Sequence, residues 1–101
     1  MAVRDLVEDA KYWFDPGSGM TTDTAAVRFH HRLVAIHPFP NGNGRHARLL
    51  TDLVLRSVGA AAFTWGSRDL AAAGEVRNRY IAALRRADAG DDTALLAFVR
   101  S

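Results

Sequence analysis

A chain of 101 residues, 49% of them hydrophobic, is long enough for one folded domain with its own core and too short for two. Thirteen basic residues against eleven acidic ones leave a net charge of only +2, and Lys11 is the sole lysine. Arginine suits phosphate and carboxylate contacts, but a GC-rich genome supplies the same excess, so charge by itself does not point to nucleic acid. The absence of cysteine excludes disulfides and thiolate metal sites.

In chain order, MAVRDLVEDAK places charge where a secretory signal has its apolar centre. Leu6, Val7, Ala10, Trp13 and Phe14 then fall at helical spacing, and Asp15-Pro16-Gly17 ends that helix. Thr21 or Thr22 caps a second helix with the apolar stripe Ala25, Ala26, Phe29, Leu33 and Ile36. Pro38 disfavours helical geometry at His37 and stops it. A third helix starts near Asn43 or Gly44, carries Ala47, Leu50, Val54 and Val58 on one face, and ends at Gly59. Residues 60–66 connect, and Ser67 caps a short helical turn. Val76, Tyr80, Ile81 and Leu84 mark a fourth helix ending near Gly90. Asp91 or Asp92 caps a last one with Leu95, Leu96, Phe98 and Val99. No stretch alternates with period two, so the expected fold is all-α, in one domain over residues 1–101. No apolar run approaches the roughly 20 residues of a membrane span, and the expected setting is the cytoplasm, with no membrane partner.

The chemistry concentrates between the second and third helices, in HPFPNGNGRHAR at residues 37–48. Gly42-Asn43-Gly44 lets successive backbone N–H groups converge on one point. The helix that follows adds its own unpaired N–H groups and the positive end of its dipole, which together form an anion seat. Arg45 lies in the first turn and Arg48 three residues later, so both guanidinium groups reach the same anion. Two cations at a helix N-terminus are unfavourable without an anion, and a polyphosphate ligand accounts for them. His37, across the loop, titrates near neutral pH and can take a proton from a hydroxyl held beside the phosphates. Phe39 anchors the loop, while Pro38 and Pro40 restrict it. A base, a phosphate cradle and two cationic clamps point to phosphoryl or nucleotidyl transfer.

This stretch resembles the signature of the Fic family, His-x-Phe-x-(Asp/Glu)-Gly-Asn-Gly-Arg-x-x-Arg, through His37, Phe39, Gly42, Asn43, Gly44, Arg45 and Arg48. FHHRLVAIHPF and RNRYIAALRRADAGDDTALLAFV are similar to the helices flanking that motif, so the resemblance covers about residues 22–100. IHPFPNGNGRHARLL is most like the subgroup called mobile mystery protein B. The resemblance implies a helical domain that transfers AMP from ATP to a Ser, Thr or Tyr hydroxyl of a target protein. His37 is then the base, and Gly42, Asn43 and Gly44 hold the α- and β-phosphates. Arg45 and Arg48 clamp the polyphosphate, and Phe39 is structural.

Two departures matter. Asn41 stands at the acidic position, whose carboxylate in the family binds Mg²⁺. A neutral amide suits that hard cation less well, which weakens metal binding. The flap and the inhibitory helix usual in such proteins are not recognisable, which suggests a minimal core that a separate antitoxin-like protein could restrain through Arg48. The alternatives are a nucleotide-binding pseudoenzyme or interaction module, and a related transferase of another phosphate-linked group. A DNA-binding helix-turn-helix fits poorly, because the loop is too long and too rich in glycine and proline.

Other residues carry less. Neighbouring His30 and His31 point about 100° apart on a helix and do not chelate one ion; one of them is expected to pack near the loop and the other to be exposed. His46 is expected at the surface, Trp13 and Trp65 in packing. Tyr80 is expected in the core, with Asn78 a candidate for the nucleoside pocket by resemblance. Asp52 is placed to pair with Arg48 or Arg56.

Overall fold

The computed structural model describes residues 2–36, 43–68 and 72–101. They form five α-helices, with no strand among the described residues: α1 (Ala2–Trp13), α2 (Thr22–Ile36), α3 (Asn43–Ser57), α4 (Ala73–Asp88) and α5 (Thr93–Val99). The contacts divide the chain into two units, Met1–Ala62 and Phe63–Ser101.

In the first unit α2 packs against both α1 and α3. The α1–α2 turn is fixed by short polar contacts. Asp15 accepts the Gly17 N–H at 2.8 Å, opening a single 3₁₀ turn (Pro16–Ser18). The Ser18 hydroxyl donates to the Trp13 carbonyl at 2.9 Å and accepts the Met20 N–H at 3.1 Å. Thr21 then caps α2: its Oγ1 accepts the Thr24 N–H at 3.1 Å, one of the donors that a helix leaves unpaired at its start. Leu6, Ala10 and Trp13 of α1 pack with Ala25, Phe29 and Leu33 of α2 and Ala47 of α3 to make the core. Arg28 and Arg32 lie 5.4 and 5.7 Å from the centre of the Trp13 ring, so part of the arginine excess serves ring packing.

The α3 terminus reads as its glycine demands. Gly59 takes φ +79°, and the N–H groups of Gly59 and Ala60 return to the carbonyls of Arg56 and Leu55. That is the glycine-closed helix end in which the last carbonyls are satisfied by backbone. Gly90 ends α4 in the same way, with Gly90 N–H to Ala87 and Asp91 N–H to Arg86.

Two valines expected in the apolar stripes are not in the core. Val7 is 45% exposed and Val58 47%. The buried seam of α3 runs through Ala47, Thr51 and Leu55, with Leu50 and Val54 half-buried on its flank. Ile36 is likewise only half-buried, whereas Val27 and His30 of α2 are fully enclosed. Periodicity selects a helical face to within about one position, and here the packed face is turned to include a threonine.

The second unit pairs α4 with α5. Segment 63–66 is joined to the end of α5: the Thr64 and Trp65 N–H groups donate to the Val99 carbonyl at 2.8 and 3.1 Å. Phe63 and Trp65, Trp65 and Tyr80, then Tyr80 and Phe98 follow one another at ring separations of 5.2, 6.5 and 5.5 Å. Trp65 has φ +52° and Gly66 φ +79°, a left-handed pair that turns the chain beneath this ring cluster. Only glycine fits the second position, since a Cβ there would meet both Phe98 and Val76 at 2.9 Å. At α5 it is Asp91 that caps, accepting the Thr93 N–H at 3.0 Å, while Asp92 makes no side-chain cap bond. Residues 65–68, with Ser67, form a turn, and residues 69–71, where a helical turn capped by Ser67 would continue, lie outside those described.

Candidate functional site

The candidate site is the junction of α2 and α3. α2 closes on Ile36, the residue before His37, and α3 opens on Asn43, so the two helix ends bracket the loop. His37, Phe39, Asn41 and Gly42 lie outside the described residues, as does the side chain of Asn43. What the structure places are Asn43, Gly44 and Arg45 in the first turn of α3, with Arg48 one turn further on. Arg45 is exposed and Arg48 half-buried, and the first turn of α3 holds no acidic residue. Its N–H groups and dipole therefore face their surroundings with positive charge added to them, an arrangement suited to an anion.

Beneath that turn lies a polar group in the seam. His30 of α2 and Thr51 of α3 are both fully buried, with His30 Nδ1 3.1 Å from Thr51 Oγ1. Thr51 donates its hydroxyl proton to the Ala47 carbonyl at 2.7 Å. The hydroxyl then accepts from Nδ1, which fixes the proton on that ring nitrogen. Burial pushes the His30 imidazole down from 6.5 to about 4. The Ala47 carbonyl opposes that shift, and the Arg48 and His31 charges reinforce it. His30 is thus a neutral packing histidine at physiological pH. His31 is half-buried and His46 exposed. Among the described residues no group of three His, Asp or Glu side chains is arranged to hold a metal ion. Thr51 escapes a search for apolar or catalytic residues; its one signal is its place four residues after Ala47, on a stripe that is otherwise apolar.

The remaining candidates separate by unit. Trp13 is buried in the first. In the second, Tyr80 is buried within the ring cluster, Trp65 half-buried and Asn78 exposed. Asp52 is half-buried on α3. No helix among the described residues is long and apolar enough to cross a membrane.

Comparison with known proteins points the same way as the motif. The model of the Fic/DOC family matches residues 2–55, which hold α1, α2, the loop and most of α3. The chain is 35% identical over 100 residues to a protein adenylyltransferase of Caenorhabditis elegans, covering 97% of this chain and 18% of that protein. It is 32% identical over 88 residues to a probable protein adenylyltransferase of Aquifex aeolicus, covering 87% and 25%. A Fido domain-containing protein of Dictyostelium discoideum is 41% identical over 73 residues, covering 68% and 46%. The chain therefore spans about a fifth of the length of the nematode relatives it matches. No solved structure matches at comparable stringency. With over half of its length under the family model, and the motif inside that span, the chain belongs to the Fic/DOC family.

Proposed function

We propose that the chain performs Fic-type protein adenylylation, transferring AMP from ATP to a Ser, Thr or Tyr hydroxyl of a target protein. His37 takes the hydroxyl proton as the oxygen attacks the α-phosphorus. The bond from that phosphorus to the bridging oxygen of the β-phosphate breaks, and pyrophosphate leaves. The backbone of Gly42, Asn43 and Gly44 holds the α- and β-phosphates, with the Asn43 amide assisting. Arg45 and Arg48 balance the charge that shifts onto the leaving pyrophosphate, and Phe39 anchors the loop. The observation that carries this reading is the start of α3 directly on Asn43-Gly44-Arg45, with Arg48 one turn on and no carboxylate in that turn.

The residues fit a protein-held Mg²⁺ poorly. Asn41 offers one neutral oxygen, and no acidic cluster among the described residues replaces the missing carboxylate. Asn41 is then an auxiliary donor at most, to an ion held mainly by the phosphates of ATP. This substitution also supports a second reading, a nucleotide-binding module without transfer. In either case the expected setting is cytoplasmic, with an antitoxin-like protein as a regulator acting on Arg48.

Incubation with ATP and a bacterial lysate, followed by intact-mass analysis, tests the first reading. Some protein gains the mass of AMP, and His37→Ala lowers the rate about a thousandfold. Binding of ATP with no transfer, even in Asn41→Asp, would establish the second.

A further inference from the structure

His30 and Thr51 are the only fully enclosed polar side chains among the described residues, and they face each other across the α2–α3 seam. Apolar packing alone lets two helices slide or roll by small amounts, because dispersion contacts have little directionality. A hydrogen bond of 3.1 Å does not tolerate that freedom, and breaking it costs a buried imidazole one of its partners. The seam gives up some apolar burial to hold this pair, which fixes register rather than adding bulk stability.

The location gives register a purpose. His30 is six residues before the end of α2, the end that leads into His37. Thr51 bonds back to Ala47, which stands between Arg45 and Arg48 near the start of α3. A neutral His30 also leaves the neighbouring Arg48 guanidinium without a second cation beneath it. We infer that the His30–Thr51–Ala47 link is a positioning element that holds the end of α2, after which the base follows in sequence, in register with the start of α3, which carries Arg45 and Arg48. The inference rests on the transfer reading for its consequence, although the link itself can be tested without it.

Thr51→Val keeps shape and removes the hydroxyl, Thr51→Ser keeps the hydroxyl, and both are compared with the unmodified protein at a temperature where all are folded. Thr51→Val speeds amide hydrogen exchange at residues 47–51, the first amides of α3 with acceptors inside the helix. It also lowers kcat for AMP transfer about tenfold or more, with KM for ATP changed far less, and Thr51→Ser restores both within about twofold. Should Thr51→Val not fold, the His30 pair decides. His30→Asn keeps a donor where Nδ1 stands and retains slow exchange at residues 47–51, whereas His30→Leu does not. Exchange and kcat unchanged in a folded Thr51→Val, or equal exchange in the two His30 variants, overturn the inference. If the unmodified protein neither binds ATP nor transfers AMP, the transfer reading falls, and exchange at residues 47–51 still decides whether the link holds the start of α3.

Discussion

The α2–α3 and α4–α5 pairs solve the same packing problem in different ways. The first buries an imidazole and a hydroxyl in its seam and spends directional bonds on alignment. The second buries rings and alkyl groups, and its polar bonds run from backbone and the Thr64 hydroxyl to the end of α5. The pair with the directional seam is also the pair that brackets the motif and falls under the family match. Shape suffices where helices need only pack; a bonded polar group appears where two helix ends must be held at a defined offset.

The sharpest way to break the shape-held unit is Gly66→Ala. A left-handed backbone position and two contacts at 2.9 Å act together, and the expected loss is about 4 kcal/mol. Thermal unfolding of the second unit, followed through Trp65 in a Trp13→Phe background, measures it. A loss under about 1 kcal/mol would mean that the turn relaxes freely and shape is not what holds this unit.

Acid acts on the other unit. The unfolded chain protonates His30 near pH 6.5, whereas the folded imidazole resists down to about 4. The unfolded state therefore binds more protons in that window, and stability falls as pH drops through it. The first unit, followed through Trp13 in a Trp65→Phe background, loses about 3 kcal/mol between pH 6.5 and 4 in urea titrations. His30→Leu flattens that slope. In the second unit the Thr93 backbone N–H holds the fully exposed Asp91 carboxyl below its usual 3.8. Its contribution is present above that value and lost only at lower pH, outside the His30 window. A smaller effect completes the series: Thr21→Ala removes the α2 cap and lowers first-unit stability by about 1 kcal/mol, read in the same titrations.

Much of this was legible because it rests on local chemistry. Thr21 as a cap, Pro38 as a stop and Gly59 and Gly90 as terminators act within a few residues of themselves, and the helix ends fall where they direct. The start of α3 at Asn43 was legible for the same reason. The seam was not. Choosing Thr51 and Leu55 over Leu50 and Val58 depends on what α2 presents across the interface, and His30 looked no different from His31 until burial separated them. The left-handed Trp65 had no local signal, since its conformation is imposed by the rings and by Val99 around it.

The proposed activity depends most on the α2–α3 junction being a seat for the phosphates of ATP. Calorimetric titration of ATP into the folded protein and into Arg45→Ala measures this directly. Saturable binding that weakens about tenfold or more in the variant is the predicted result. No heat of binding in the unmodified protein, or equal binding in both, would contradict it.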